Sequence, residues 1–241
     1  MAAPPDILSS GASSPEGVAP ADRPGVGRHA PVEPGNHPAP RLDLALLAGL
    51  REVPSLSSEL ADLLDEWGWN MAGRDPSLVH RAGPRLMIGQ AVTLSYLPER
   101  NLGEAQPPGH LAHHTAAALG HPGDVLVIST AGILDASVLG GQGARAIASR
   151  GMAGAVVDGA MRDVDEVREA GIAAWSRSVT PQSGVGRLEA VSIQRPISCA
   201  GVQVHPGDLV VADEAGVVFL PSSLVALAAS RLLGPRQAGS G

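Results

Sequence analysis

"GAVVDGAMRDVDEVREAGIAAW", residues 154–175, decides the fold class. An apolar strand pattern in "GAVVD" leads through Gly159-Ala160-Met161 to Arg162-Asp163. There the spacing of apolar residues becomes helical across "DVDEVREAG", and Gly171 stops it before a second apolar run, "IAAW". Strands this uniformly apolar are those covered on both faces, and a helix joining two of them is the crossover of a parallel sheet. The same unit recurs just upstream. The Pro122-Gly123 turn launches "DVLVIST", and "QGARAIASRG" reads as a helix stopped by Gly151. The expected class is therefore α/β, built from βαβ units.

Further outward the character changes. "AGVQV", "LVVAD" and "VVFLP", separated by "HPGD" and "EAG" turns, predict short strands in an antiparallel portion packed against the βαβ portion. A final helix is expected from Ser223, carrying Leu224, Leu227 and Leu232. On the N-terminal side, Leu56, Leu60, Leu63, Leu64 and Trp67 recur at helical spacing, with Ser55 as cap and an end near Gly68. In "QAVTLSY", Val92, Leu94 and Tyr96 alternate as in a strand with one buried face, closed by Pro98. The folded domain is expected over residues 41–233. Residues 1–40, rich in Pro, Gly and Ser without an apolar period, read as a disordered extension, and residues 234–241 as a flexible tail.

With 241 residues, the chain has length for one good core. Its net charge of -7 and 2% aromatic content disfavour a nucleic-acid binder. No apolar run approaches the ~20 residues of a membrane span, and the start has neither a secretory apolar region nor the arginines of a transit peptide. A cytoplasmic location is the expectation. The single cysteine, Cys199, excludes an internal disulfide and reads as a core residue.

Three constellations could carry chemistry. Gly141-x-Gly143-x-x-Ala146 approaches a dinucleotide fingerprint, with Asp158 placed as a ribose-binding acid. However, "AGILDASVL" separates the glycines from their strand, against that fold's requirement. Close helix packing is one alternative. Another is that the free amides of Gly141, Gln142 and Gly143 form an anion pocket at a helix start, suited to a carboxylate. Arg162 and Asp163 are an ordinary helix cap, with Asp165, Glu166 and Arg168 as solvated charge, or else a substrate and metal pair at the ligand-binding end of a parallel sheet. His110 and His114, with His113 close by, have the i, i+4 spacing that can chelate zinc but lack an acid between them, so a solvated helix face is the plainer reading.

Residues 53–221 resemble the RraA-like family, which includes the 4-hydroxy-4-methyl-2-oxoglutarate aldolases with oxaloacetate decarboxylase activity and the regulators of ribonuclease E. The resemblance rests on "LSSELADLL", "GQAVTLSYLPER", "HPGDVLVI", "LGGQGARAIASRGMAGAVVDGAMRDVDEV", "SVTPQSGVGRLE" and "GVQVHPGDLVVADEAGVVFLP", in that order. It implies a swivelling β/β/α fold, a homotrimer with sites between subunits, and a divalent-metal aldolase acting on small 2-oxo acids. By the family motif, the amides of Gly140, Gly141, Gln142 and Gly143 would bind a pyruvyl carboxylate. Arg162 would contact the substrate oxyanion, and Asp163 would ligate Mg²⁺ or Mn²⁺, the metal and Arg162 together stabilising a pyruvate enolate. The chain departs from the pattern at Gly141, where many of the enzymes carry an acid, and at Gln142 and Gly143, where two leucines are usual. The alternative implied by the resemblance is a non-catalytic, protein-binding regulator, in whose branch a non-ligand follows the Arg. Asp163 favours the enzyme.

Overall fold

The computed structural model describes residues 34–35, 40–73, 76–99 and 111–234. Most of the expected extension and tail therefore lies outside the described residues, as does His110. In chain order the elements begin with α1 (Leu44–Arg51), α2 (Leu56–Glu66), β1 (Val79–Ala82), β2 (Met87–Pro98), α3 (His113–Leu119) and β3 (Val125–Ser129). Next come β4 (Ser137–Leu139), α4 (Gly141–Ser149), β5 (Gly154–Met161), α5 (Val164–Glu169), β6 (Ala173–Val179) and β7 (Leu188–Ile193). The chain closes with β8 (Ile197–Cys199), β9 (Val202–Val204), β10 (Leu209–Ala212), β11 (Val217–Leu220) and α6 (Val225–Leu233).

The quoted stretch forms β5-α5-β6, and β5 pairs in parallel with β3, β4 and β6. The main sheet runs β1-β6-β5-β3-β2-β10-β11, so the α/β class and its parallel centre hold. Alternation within each strand sorts the side chains into separate cores. Leu126 and Ile128 of β3 face α3, α4 and α5 with Ala116, Ile147 and Val167, whereas Val125 and Val127 face Cys199, Val202 and Val204 of the β8–β9 hairpin. A third cluster packs Leu50, Leu60, Leu64 and Val225 of the α1, α2 and α6 helices over Leu209, Val211 and Val218.

Several expectations are corrected. β2 is buried on both faces as far as Leu94, not on one, because it is central. It pairs with β3 along one edge and, along its twelve residues, with β10 and then β7 on the other. The C-terminal strands are antiparallel as expected, but they divide between two sheets. β10 and β11 extend the main sheet, and only the β8–β9 hairpin stacks against it. Ser55 sits at the start of α2 in the left-handed region without a side-chain cap bond; Asp213, distant in sequence, accepts from the Ser57 amide at 3.0 Å instead. α6 buries Val225, Ala228 and Ala229, while Leu227 is exposed. Cys199 is fully buried, as expected of a core residue. Among the described residues no helix is long and apolar enough to cross a membrane.

Candidate active site

The site forms where β4 hands over to α4 and β5 to α5. Gly140 is the cap residue of α4, and its carbonyl accepts from Ala144 N at 2.9 Å, leaving the amides of Gly141, Gln142 and Gly143 without intrahelical acceptors. Asp163 holds the equivalent place before α5, in the left-handed region at φ 49°, ψ 44°. Asp tolerates that conformation better than most residues. The twist turns its carboxylate away from its own helix, to which it makes no side-chain cap bond. Asp163 Oδ2 instead accepts from Gly141 N at 3.3 Å and lies 3.3 Å from Arg162 Nε. The plain cap reading is therefore corrected, and the glycine loop and the Arg162-Asp163 pair occupy one corner.

Close approach explains two of the glycines. A Cβ on Gly140 would lie 2.6 Å from Asp163 Oδ2 and 2.9 Å from Arg162 Cγ. On Gly141 it would run into Glu166, with that residue's Cβ at 2.7 Å. Glu166 is thus a site residue the sequence reading set aside as solvation. Its Oε2 is 2.8 Å from Arg145 Nη1, one turn along α4, whereas Asp165 is solvated as expected and pairs with Arg168 on its own helix. Periodicity alone did not separate Glu166 from Asp165; the facing position of Gly141 did.

His113 also belongs here. It is buried, which corrects the solvated-face expectation, and its ring lies against Gly143, where a Cβ would meet Cδ2 at 2.9 Å. Burial first, then neighbouring His114 and the Arg162 guanidinium, push its imidazole down to about 4. The nearby Val138 carbonyl works the other way, favouring the charged ring. The rings of His113 and His114 stand 4.5 Å apart at a tilt of 38°, packed on each other rather than spread around a shared ion.

Asp158 does not reach the glycine loop. It is buried on the opposite side, where Oδ2 accepts from Ala200 N at 2.7 Å and Oδ1 lies 3.0 Å from Arg177 Nε, anchoring the β8–β9 hairpin. With β4 also standing between β3 and α4, the dinucleotide reading loses both its acid and its connection. Burial, and then the Asp158 carboxylate, push the Cys199 thiol up and leave it unreactive.

Among the described residues no three His, Cys, Asp or Glu side chains gather into a metal cage. One half-exposed carboxylate, Asp163, suits a cation that keeps several waters and takes its other oxygens from a ligand, which is the habit of Mg²⁺ and not of a closed zinc site. Concavities of about 460 and 450 Å³ lie elsewhere, lined by residues such as Trp69 and His205 or Arg51 and Asp213. The corner itself is open, with the Arg162 side chain 41% exposed.

The model of the RraA-like family (Aldolase/RraA) matches residues 57–219. "Protein DlpA" of Legionella pneumophila is 31% identical over 166 residues, which cover 69% of this chain and 26% of that protein. A 4-hydroxy-4-methyl-2-oxoglutarate aldolase of Thermus thermophilus is 37% identical over 99 residues, covering 41% of this chain and 60% of the aldolase. The matches thus span under two thirds of both relatives. Among solved structures, Streptomyces coelicolor RraAS2, described as an unusual member of the RNase ES inhibitor RraA protein family, superposes with a TM-score of 0.71. It is 30% identical, with 81% of this chain and 94% of that one covered.

Proposed function

The chain belongs to the RraA-like family, with its swivelling β/β/α fold, and from that premise we propose that it is a divalent-metal-dependent carbon–carbon lyase acting on 2-oxo acids. It cleaves 4-hydroxy-4-methyl-2-oxoglutarate to pyruvate and decarboxylates oxaloacetate. One observation carries the reading: Asp163 turns from its own helix toward the first turn of α4, beside Arg162. A structural cap would bond its own helix start.

In this reading the amides of Gly141, Gln142 and Gly143 bind the substrate carboxylate. The Arg162 fork donates to the keto oxygen, where negative charge grows as the carbon–carbon bond breaks. In decarboxylation that bond's electron pair passes into the enolate, carbon dioxide leaves, and a proton from water restores pyruvate. Gly140 keeps the ligand-facing wall free of a side chain, so guanidinium and carboxylate both approach the loop. A Mg²⁺ or Mn²⁺ ion held by Asp163 would supply Lewis-acid charge to the same oxygens. The open corner favours a homotrimer in which a second subunit closes each site.

The test is release of pyruvate from oxaloacetate and from 4-hydroxy-4-methyl-2-oxoglutarate by the purified protein, with Mg²⁺ or Mn²⁺ and with excess chelator. Metal-stimulated, chelator-sensitive release is expected. No release from either substrate at millimolar concentration overturns the reading. It would favour the second one, a protein-binding regulator, which has the likeness to the Streptomyces inhibitor-family protein on its side.

A further inference from the structure

The reaction above gives Arg145 no task, yet its guanidinium lies at the same corner. Side chains of a helix lean toward its N-terminus, and Arg145, one turn past Gly141, leans back over the first turn of α4. Its Nη1 stands 2.8 Å from Glu166 Oε2, and a Cβ on Gly141 would run into that same oxygen. The tip of the guanidinium is therefore within one hydrogen bond of an atom that touches the glycine loop. Its bonding is incomplete. Arginine has five N–H donors in a planar fork, and among the described residues the Arg145 side chain uses one of them. The side chains of the pair are 57% and 49% exposed, and a solvated ion pair of this kind holds weakly enough for a ligand to compete with Glu166. Neighbouring cations are turned elsewhere, Arg168 to Asp165 on its own helix and Arg150, at the far end of α4, to the Ala118 and Gly120 carbonyls.

The chemistry of an aldol substrate asks for such a group. A 4-hydroxy-2-oxo dicarboxylic acid carries one carboxylate beside its keto group, within reach of the loop amides and Arg162, and a second beside its hydroxyl. Close to Asp163 and Glu166 that second carboxylate meets two like charges, which a guanidinium with a free edge offsets. In the cleavage, the electron pair of the carbon–carbon bond passes into the enolate of one pyruvate. The hydroxyl gives its proton to water and becomes the keto group of a second pyruvate, and the enolate takes a proton from water. The second carboxylate keeps its charge throughout. In oxaloacetate, by contrast, the second carboxylate is itself the group that departs as carbon dioxide, so a contact that fixes its charge opposes the reaction.

We propose that Arg145 is a specificity-determining residue of this site, its guanidinium binding the second carboxylate of a 4-hydroxy-2-oxo dicarboxylic acid and so favouring aldol cleavage over decarboxylation. The inference rests on the 2-oxo acid reading above. It differs from a bridging role, in which the Arg145–Glu166 pair merely ties α4 to α5 and the loss of either partner is felt alike.

Calorimetry on the full chain with Mg²⁺ compares 2-oxoglutarate, which has both carboxylates but no hydroxyl to cleave, with pyruvate, which has one carboxylate. In Arg145→Gln the affinity for 2-oxoglutarate relative to pyruvate should fall roughly tenfold, the size of a lost hydrogen bond between charged groups. In turnover, the ratio of kcat/KM for 4-hydroxy-4-methyl-2-oxoglutarate to that for oxaloacetate should shift by a similar factor toward oxaloacetate. Glu166→Gln, which removes the competing carboxylate and leaves Arg145 in place, should bind 2-oxoglutarate more tightly than wild type. Wild-type ratios in Arg145→Gln overturn the proposal, as does an equal loss for both ligands. So does a Glu166→Gln protein weakened toward 2-oxoglutarate as Arg145→Gln is, which is the mark of a bridge. Both side chains are half-exposed, so neither substitution empties the core. If the wild type releases pyruvate from oxaloacetate while Arg145→Gln changes neither ratio, this inference falls and the proposed function survives. If the wild type binds neither acid and acts on neither substrate, both fall.

Discussion

At the scale of single residues, the site depends on one twist of backbone. Asp163 at φ 49° aims its carboxylate at a neighbouring helix, so substitutions there separate chemistry from folding. Asn tolerates the left-handed region as well as Asp, and Asp163→Asn should therefore melt within ~1 kcal/mol of wild type while losing metal-stimulated decarboxylation, since a neutral amide is a poor Mg²⁺ ligand. Full metal-stimulated activity in that variant would return the pair to a structural role. Arg162→Lys keeps the charge without the planar fork, and a loss of roughly tenfold to a thousandfold in kcat is expected. His113 adds a pH dependence. With its pKa lowered to about 4 in the fold from an unfolded value near 6.5, the native state holds fewer protons than the unfolded chain between those values. Stability therefore rises with pH across that window and is lost as pH falls through it, by at most about 3 kcal/mol. Asp208, whose carboxyl is pushed up by burial, works in the opposite sense, so the comparison is between proteins. Melting temperatures from pH 7 down to 4 should fall more steeply for wild type than for His113→Phe. Parallel curves would show that the ring titrates as in the unfolded chain.

At the scale of elements, α4 and α5 are held at one separation by the absence of a side chain. Gly141 faces Glu166, and a methyl group there meets that residue's Cβ at 2.7 Å, an atom that cannot swing aside unless α5 moves. Gly141→Ala should cost about 1–3 kcal/mol, as overpacking does, and should raise KM for oxaloacetate, since the displaced helix carries Asp163 with it. Chemical denaturation and steady-state kinetics read the two effects, and unchanged stability would mean that the two helices are not in contact there. The same facing pair shows where sequence reading stopped. The helical period of "DVDEVREAG" located α5, and Gly151 and Gly171 located helix ends, because these are local properties of the chain. Which of Asp165 and Glu166 meets another helix depends on the crossing of α5 over α4, which no local pattern encodes.

At the scale of the whole molecule, the folded body begins before its first helix. Gly35 N donates to Ile193 O at 2.8 Å, the Pro40 carbonyl accepts from Gln90 Nε2 at 3.0 Å, and Arg41 Nη1 lies 2.7 Å from the buried Asp124 carboxylate. Removing residues 1–33 is expected to leave the melting temperature unchanged. Arg41→Ala should cost about 1–2 kcal/mol through the lost charged hydrogen bond. Equal effects from both changes would contradict this division. Leu134 and Val179 are exposed apolar side chains, the kind of surface that an assembly covers. Light scattering should give a trimer or a multiple of one, and an active monomer would remove the shared-site reading. The sequence by itself determined the α/β class, the parallel centre and the presence of Arg162 and Asp163 at a strand-to-helix junction, because period, glycine stops and turn residues act within a few positions. Only the tertiary structure decided that β10 and β11 join the main sheet through β2, that Asp158 serves the β8–β9 hairpin, and that Glu166 and His113 reach the glycine loop. Those outcomes rest on pairings between residues far apart in the chain, where a missing side chain at one position makes room for a side chain from another.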